Sequence, residues 1–79
     1  MEVEVRVATI LMRKADPPLE RSAFPYSLPE GTDVAGLIEA LRIPPALVGS
    51  ITVNKRRSPL DRTLSPGDDV AIVPAISGG

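Results

Sequence analysis

The chain contains no cysteine, no histidine and no tryptophan, and its aromatic residues are one Phe and one Tyr, Phe24 and Tyr26. Without cysteine there is no disulfide framework, thiolate nucleophile or zinc-finger spacing. Without histidine there is no imidazole base, and the commonest metal ligand is missing. Side-chain catalysis would rest on carboxylates, lysines, serines and a single tyrosine. An excess of positive charge is also lacking: nine Lys and Arg face ten Asp and Glu, for a net charge of -1. The resulting pI of 5.2 argues against the strong positive field on which non-specific nucleic-acid binding depends. No run approaches the roughly 20 apolar residues a membrane span needs. Met1-Glu2-Val3-Glu4 places alternating acids where a signal peptide has a basic and then an apolar stretch. The expectations are a cytoplasmic protein with no membrane and no nucleic-acid partner. A chain of this length forms one domain and removes only roughly 60% of its unfolded surface from water, so the core is small.

The hydrophobic content of 43% comes almost wholly from Val, Ile, Leu and Ala. Val3, Val5 and Val7 alternate with Glu2, Glu4 and Arg6, the period-two pattern of a half-buried strand. This first strand is read from Glu2 towards Leu11, losing its alternation after Ala8, and residues 12–23 read as a loop around Pro17-Pro18. Phe24, Tyr26 and Leu28 resume the alternation. Pro25 has no amide hydrogen for a ladder, which predicts an edge position, antiparallel to the first strand. After the turn at Pro29-Glu30-Gly31, Thr32 is the expected cap of a helix with Asp33 in its first turn. Val34, Leu37, Ile38 and Leu41 then recur at i, i+3, i+4 and i+7 as one apolar stripe.

Pro44-Pro45 stops that helix and leaves room for a short further turn up to Val48. Ile51-Thr52-Val53 reads as a strand, Asn54-Lys55 as a tight turn and Arg56 to Ser58 as its return. Leu60 and Leu64 are expected core plugs. Ser65-Pro66-Gly67-Asp68 is a turn, and Val70 to Val73 an apolar, central strand. One amphipathic helix over one mixed sheet of four to five strands is an α+β, β-grasp (ubiquitin-like) arrangement, with the first and last strands central and parallel. The expected division is a domain over 1–73 and an extended, flexible tail over 74–79.

Val73-Pro74-Ala75-Ile76-Ser77-Gly78-Gly79 brings the last strand straight into a Gly-Gly end. Such an end by itself reads as a frayed tail. On this fold it is similar to the ubiquitin-like sulfur carriers of the MoaD/ThiS family. The stretches Val53 to Asp61 and Leu64 to Gly79 resemble the family's C-terminal half, and Pro29-Glu30-Gly31-Thr32 resembles its middle. The tail Pro-Ala-Ile-Ser-Gly-Gly and the chain length most resemble the small subunit of molybdopterin synthase.

The resemblance implies a co-substrate and not an enzyme. The α-carboxylate of Gly79 would be adenylated by a ubiquitin-activating-like enzyme using ATP, then converted to a thiocarboxylate that delivers sulfur to a pterin precursor. Ile76, Ser77 and Gly78 would thread into the partner, and Val73, Pro74, Ala75 and Arg57 would meet it. The implied partners are the adenylating enzyme and the sulfur-accepting large subunit of the synthase, for a chain that is a monomer when free, with no bound cofactor and no metal. Six extended residues from Pro74 to Gly79 reach roughly 20 Å, enough to pass the reactive end into a partner's site, and side-chain-free residues let the backbone enter a narrow channel. A ubiquitin-like modifier joined to lysines through Gly79, a thiamine thiazole sulfur carrier, and an interaction module with a passive tail are the alternatives. Lys55-Arg56-Arg57 reads as a solvated hairpin tip that can also steer docking onto an acidic partner. In Asp68-Asp69, two adjacent acids offer too few convergent oxygens for a metal and read as turn chemistry. Val70 and Ile72 lie opposite Ala71 and Val73 in parity, one pair towards the helix and the other on the free sheet face.

Overall fold

The computed structural model describes residues 1–75. Strand β1 (Glu2–Val7) pairs antiparallel with β2 (Ala23–Ser27), and the helix α1 (Thr9–Lys14) lies between them in sequence. Helix α2 (Val34–Ala40) leads through a 3-10 turn at Pro45–Leu47 into β3 (Val48–Val53), the short β4 (Arg56–Arg57) and β5 (Asp69–Pro74). The sheet order is β2-β1-β5-β3-β4, with β1 and β5 parallel and β3 antiparallel to both its neighbours. This is the β-grasp order, with β5 at the centre of the sheet and the proline-bearing β2 at an edge.

One face of the sheet is sealed. Val3, Val5 and Val7 of β1, Ile51 and Val53 of β3 and Val70 and Ile72 of β5 are all buried, as is the α2 stripe of Val34, Leu37, Ile38 and Leu41. Removing such apolar surface from water supplies the main drive for folding, at roughly 25 cal/mol per Å². Phe24 and Tyr26 pair with Val5 and Val3 across the β1–β2 ladder. Their rings meet edge to face at a centroid distance of 6.2 Å and pack as partly buried residues against the core.

Three expectations change. The first strand ends at Val7, and Thr9–Lys14 is helical. The helix buries Leu11, which with Val7 and Ala15 forms a buried i, i+4, i+8 series; with a single buried residue inside the helix, the period is too brief to stand out from the apolar run Ile10-Leu11-Met12. The cap of α2 is Asp33, whose Oδ1 accepts from the Gly36 N–H at 2.7 Å. Thr32 instead donates its hydroxyl to the Pro29 carbonyl at 2.7 Å and closes the preceding turn. Leu64 is buried as expected, but Leu60 is 53% exposed.

The turns follow their residue chemistry. Asn54 and Lys55 both have positive φ, at 53° and 70°, which matches the right-handed strand twist in a two-residue hairpin. Gly67 at φ 85° supplies the left-handed residue of the turn that starts β5, a conformation that costs glycine little. The two turns are clasped together. Asp68, only 8% exposed, accepts from Asn54 Nδ2 at 2.9 Å and from the Ser65 N–H at 2.8 Å. Asn54 Oδ1 accepts from the Asp69 N–H at 3.0 Å.

Candidate functional site

Alternation along β5 decides which residues face away from the helix. Val70 and Ile72 are buried, whereas Ala71 is partly covered and Val73 is 38% exposed. Ala71 and Val73 therefore lie on the free face of the sheet. Across that face, pairing aligns Ala23, Arg6, Ala71, Thr52 and Arg57 in one row that crosses all five strands. The row is small in the middle and cationic at two positions, Arg6 and Arg57. Arg6 pairs with Asp69 at 3.3 Å, the only ion pair among the described residues. Its guanidinium remains largely exposed, so the pair contributes little to stability. Arg57 is exposed at the edge, continuous with Lys55 and Arg56 at the hairpin tip. A shallow depression of 670 Å³ bordered by Arg6, Ala8, Ser22, Ala23, Ala71 and Val73 occupies the β1–β5 side of this face.

The end of β5 sits beside this surface. Pro74, the expected first residue of the tail, is the last residue of the strand and pairs with Val48. Having no N–H, Pro74 cannot donate to the ladder. The next donor, the Ala75 N–H, reaches back to the Leu47 carbonyl at 2.8 Å. The structure thus brings Val73, Pro74 and Ala75 together at one margin of the free face and places Arg57 across it on β4. Ile76, Ser77, Gly78 and Gly79 lie outside the described residues. Among the described residues no group of three or more acids, histidines or cysteines is gathered to hold a metal ion, and no helix is long and apolar enough to cross a membrane. Two contributors escaped the sequence reading: Leu47, which acts through its main-chain carbonyl, and Gly49, which lies between the paired Val48 and Ser50.

The model of the ThiS family matches residues 20–79. The chain belongs to the ThiS family. Within the MoaD/ThiS group, it is a small protein of the ubiquitin-like sulfur carrier or modifier type. A solved structure of a putative molybdopterin converting factor, subunit 1, from Pyrococcus furiosus is 26% identical, covers 96% of this chain and 99% of its own, and superposes with a TM-score of 0.72. SAMP1 from Haloferax volcanii is 16% identical over 100% of both chains, with a TM-score of 0.68. A complex of subunits 1 and 2 of molybdopterin-converting factor from Helicobacter pylori 26695 contains a chain 21% identical over 100% of both, with a TM-score of 0.62. The latter two likenesses establish the ubiquitin-like β-grasp fold. No curated protein matches the chain.

Proposed function

We propose that this family member is a sulfur carrier whose Gly79 α-carboxylate is the reactive group, acting in molybdopterin synthesis as the small subunit of the synthase. The observation that carries the reading is the placement of β5. The central strand delivers the chain to the margin of the exposed sheet face at Ala75, four residues before Gly79 in the sequence. The molybdopterin assignment draws support from the likeness to the Pyrococcus furiosus protein over nearly the whole chain. A partner subunit draws support from the Helicobacter pylori assembly of two subunits.

The chemistry needs no side chain of the carrier. An oxygen of the Gly79 carboxylate attacks the α-phosphorus of ATP in the active site of an adenylating enzyme, and pyrophosphate leaves. A hydrosulfide-level sulfur nucleophile then attacks the acyl carbon, and AMP departs with the bonding electron pair, giving the thiocarboxylate. That sulfur attacks a carbon of the acceptor bound in the synthase large subunit and displaces an oxygen leaving group, which departs with the bonding electron pair; water then hydrolyses the acyl–sulfur bond, returning the Gly79 carboxylate and leaving the sulfur as a thiol on the acceptor. ATP belongs to the activating enzyme, and the carrier supplies a docking face and a presented end. Small residues at Ala71 and Thr52 permit close approach in the middle of that face, while Lys55, Arg56 and Arg57 favour an acidic rim on the partner and act mainly on association rate.

The test is deletion of Gly79. With a cognate adenylating enzyme, the full chain supports ATP–pyrophosphate exchange and the shortened chain does not, while both give the same circular dichroism and unfolding midpoint. Equal exchange by the two chains defeats the reading. Adducts joining Gly79 to protein lysines in extracts would instead identify a modifier.

A further inference from the structure

The margin from which residue 75 leads onward has an irregularity in its strand pairing. Ser50 stands opposite Val73, yet the next pair is Val48 with Pro74. One step along β5 is matched by two along β3, and the extra residue of this bulge is Gly49. A bulge bends its strand and re-aims the groups beside it. At Gly49 the reason for glycine is proximity. A Cβ placed there would lie 2.6 Å from both Ala75 Cα and the Pro74 carbonyl oxygen, and 2.8 Å from the Ala75 nitrogen. All three are main-chain atoms, so no side chain can swing aside to make room.

The chain just after the last strand is held from a second direction. The Ala75 N–H donates to the Leu47 carbonyl at 2.8 Å, and Leu47 ends a 3-10 turn that starts at Pro45 and follows Pro44. Two consecutive prolines fix their φ angles and make this a stiff support. The departing backbone is therefore packed on Gly49 and tethered to Leu47.

We propose that Gly49 and the Leu47 carbonyl form a positioning clamp that sets the direction in which the chain leaves the domain and so aims the Gly79 carboxylate at its reaction partner. The functional half of the proposal rests on the carrier reading of Gly79. With Ala75 held, the four residues beyond it can reach only about 13 Å when extended, and an error in their starting direction is carried to the reacting end. An alanine at position 49 must push Pro74 and Ala75 away by about 1 Å to restore an ordinary contact of about 3.5 Å. A misplacement of that size can lower the rate of a positioned reaction by as much as about a hundredfold. Docking uses the sheet face and is affected little, so the loss falls on kcat and not on KM.

The lack of cysteine permits a readout independent of activity, because Ser77→Cys introduces a unique thiol for a nitroxide label. The pattern of paramagnetic broadening over the domain's amide resonances then reports where the tail points. Gly49→Ala is expected to move the strongest broadening to a different set of amides. In the unlabelled background it should lower kcat of ATP–pyrophosphate exchange tenfold to a hundredfold per folded molecule, with KM within about twofold. Ala75→Pro removes the donor to Leu47 and puts a ring methylene against that carbonyl, which pushes the chain off it, and should shift the broadening similarly, covering the case in which Gly49→Ala does not fold. An unchanged broadening pattern, or an unchanged kcat per folded molecule beside a lowered unfolding midpoint, overturns the clamp and leaves Gly49 a packing residue. If the wild-type chain is not adenylated at all, the carrier reading fails, and the broadening pattern still decides whether the clamp exists.

Discussion

Replacing Asp68 by alanine tests how the start of the central strand is held. Asp68 is 8% exposed, and its carboxylate accepts two hydrogen bonds, from Asn54 Nδ2 at 2.9 Å and from the Ser65 N–H at 2.8 Å. Hydrogen bonds to a charged group contribute about 1.5–3 kcal/mol each. Asn54 is exposed and regains water when its partner is removed, which brings the combined loss below twice that figure, to about 2–3 kcal/mol. A domain of this size has a total stability of roughly 4–12 kcal/mol, and each kcal/mol moves its midpoint by about 4–8 °C. The expected result is a fall in Tm of about 10–20 °C, measured by thermal circular dichroism and checked by urea unfolding. Asp68→Asn keeps one accepting oxygen but turns an NH2 group towards a donor, and should lie between alanine and wild type. Exchange activity per folded molecule should not change in either variant. A fall of less than about 3 °C for alanine refutes the claim that this clasp joins the Asn54 and Gly67 turns to the head of β5.

Leu37→Ala, at a side chain with 0% exposure on the α2 stripe, should cost about 2–5 kcal/mol by urea unfolding. Leu60→Ser, at a residue 53% exposed, should change stability by no more than about 0.5 kcal/mol; equal costs at the two positions would contradict the placement of the core. Val73→Asp puts a charge on the free face beside the end of β5, should leave the unfolding midpoint within a few degrees, and should raise KM for the adenylating enzyme at least about tenfold, since desolvating an unpaired carboxylate at an interface costs several kcal/mol. An unchanged KM would remove that face from the docking surface.

Legibility in the sequence followed the length and regularity of the apolar period. Val3, Val5 and Val7 are a strand because each alternate residue is wet, and Val34 to Leu41 are a helix because four apolar residues share one face over two turns. The hairpin was legible from Asn54 and the later turn from Gly67, both residue types that tolerate positive φ, whereas Lys55 takes up φ 70° without such a preference. Thr9–Lys14 was not, since one buried leucine defines no period. Thr32 and Asp33 are both good caps, and only geometry separates the residue that accepts from the helix amide from the one that closes the turn. Leu60 and Leu64 are the same residue type in loop surroundings, where burial depends on tertiary packing and not on local spacing. At the candidate site, parity along β5 divided Val70 and Ile72 from Ala71 and Val73, but the side covered by α2 is settled by the fold. Gly49 and the Leu47 carbonyl had no sequence signal, because a bulge is a relation between two strands and a carbonyl acceptor belongs to every residue.

Whether the chemistry of this chain resides in the main-chain carboxylate of Gly79 is decided by intact-mass spectrometry. The full chain is incubated with a cognate adenylating enzyme, ATP and a sulfide source. The expected result is replacement of one oxygen by sulfur, localised by fragmentation to the terminal Gly78-Gly79 segment and absent when ATP is omitted. An unmodified terminus, under conditions in which the same enzyme converts another member of the family, would contradict it.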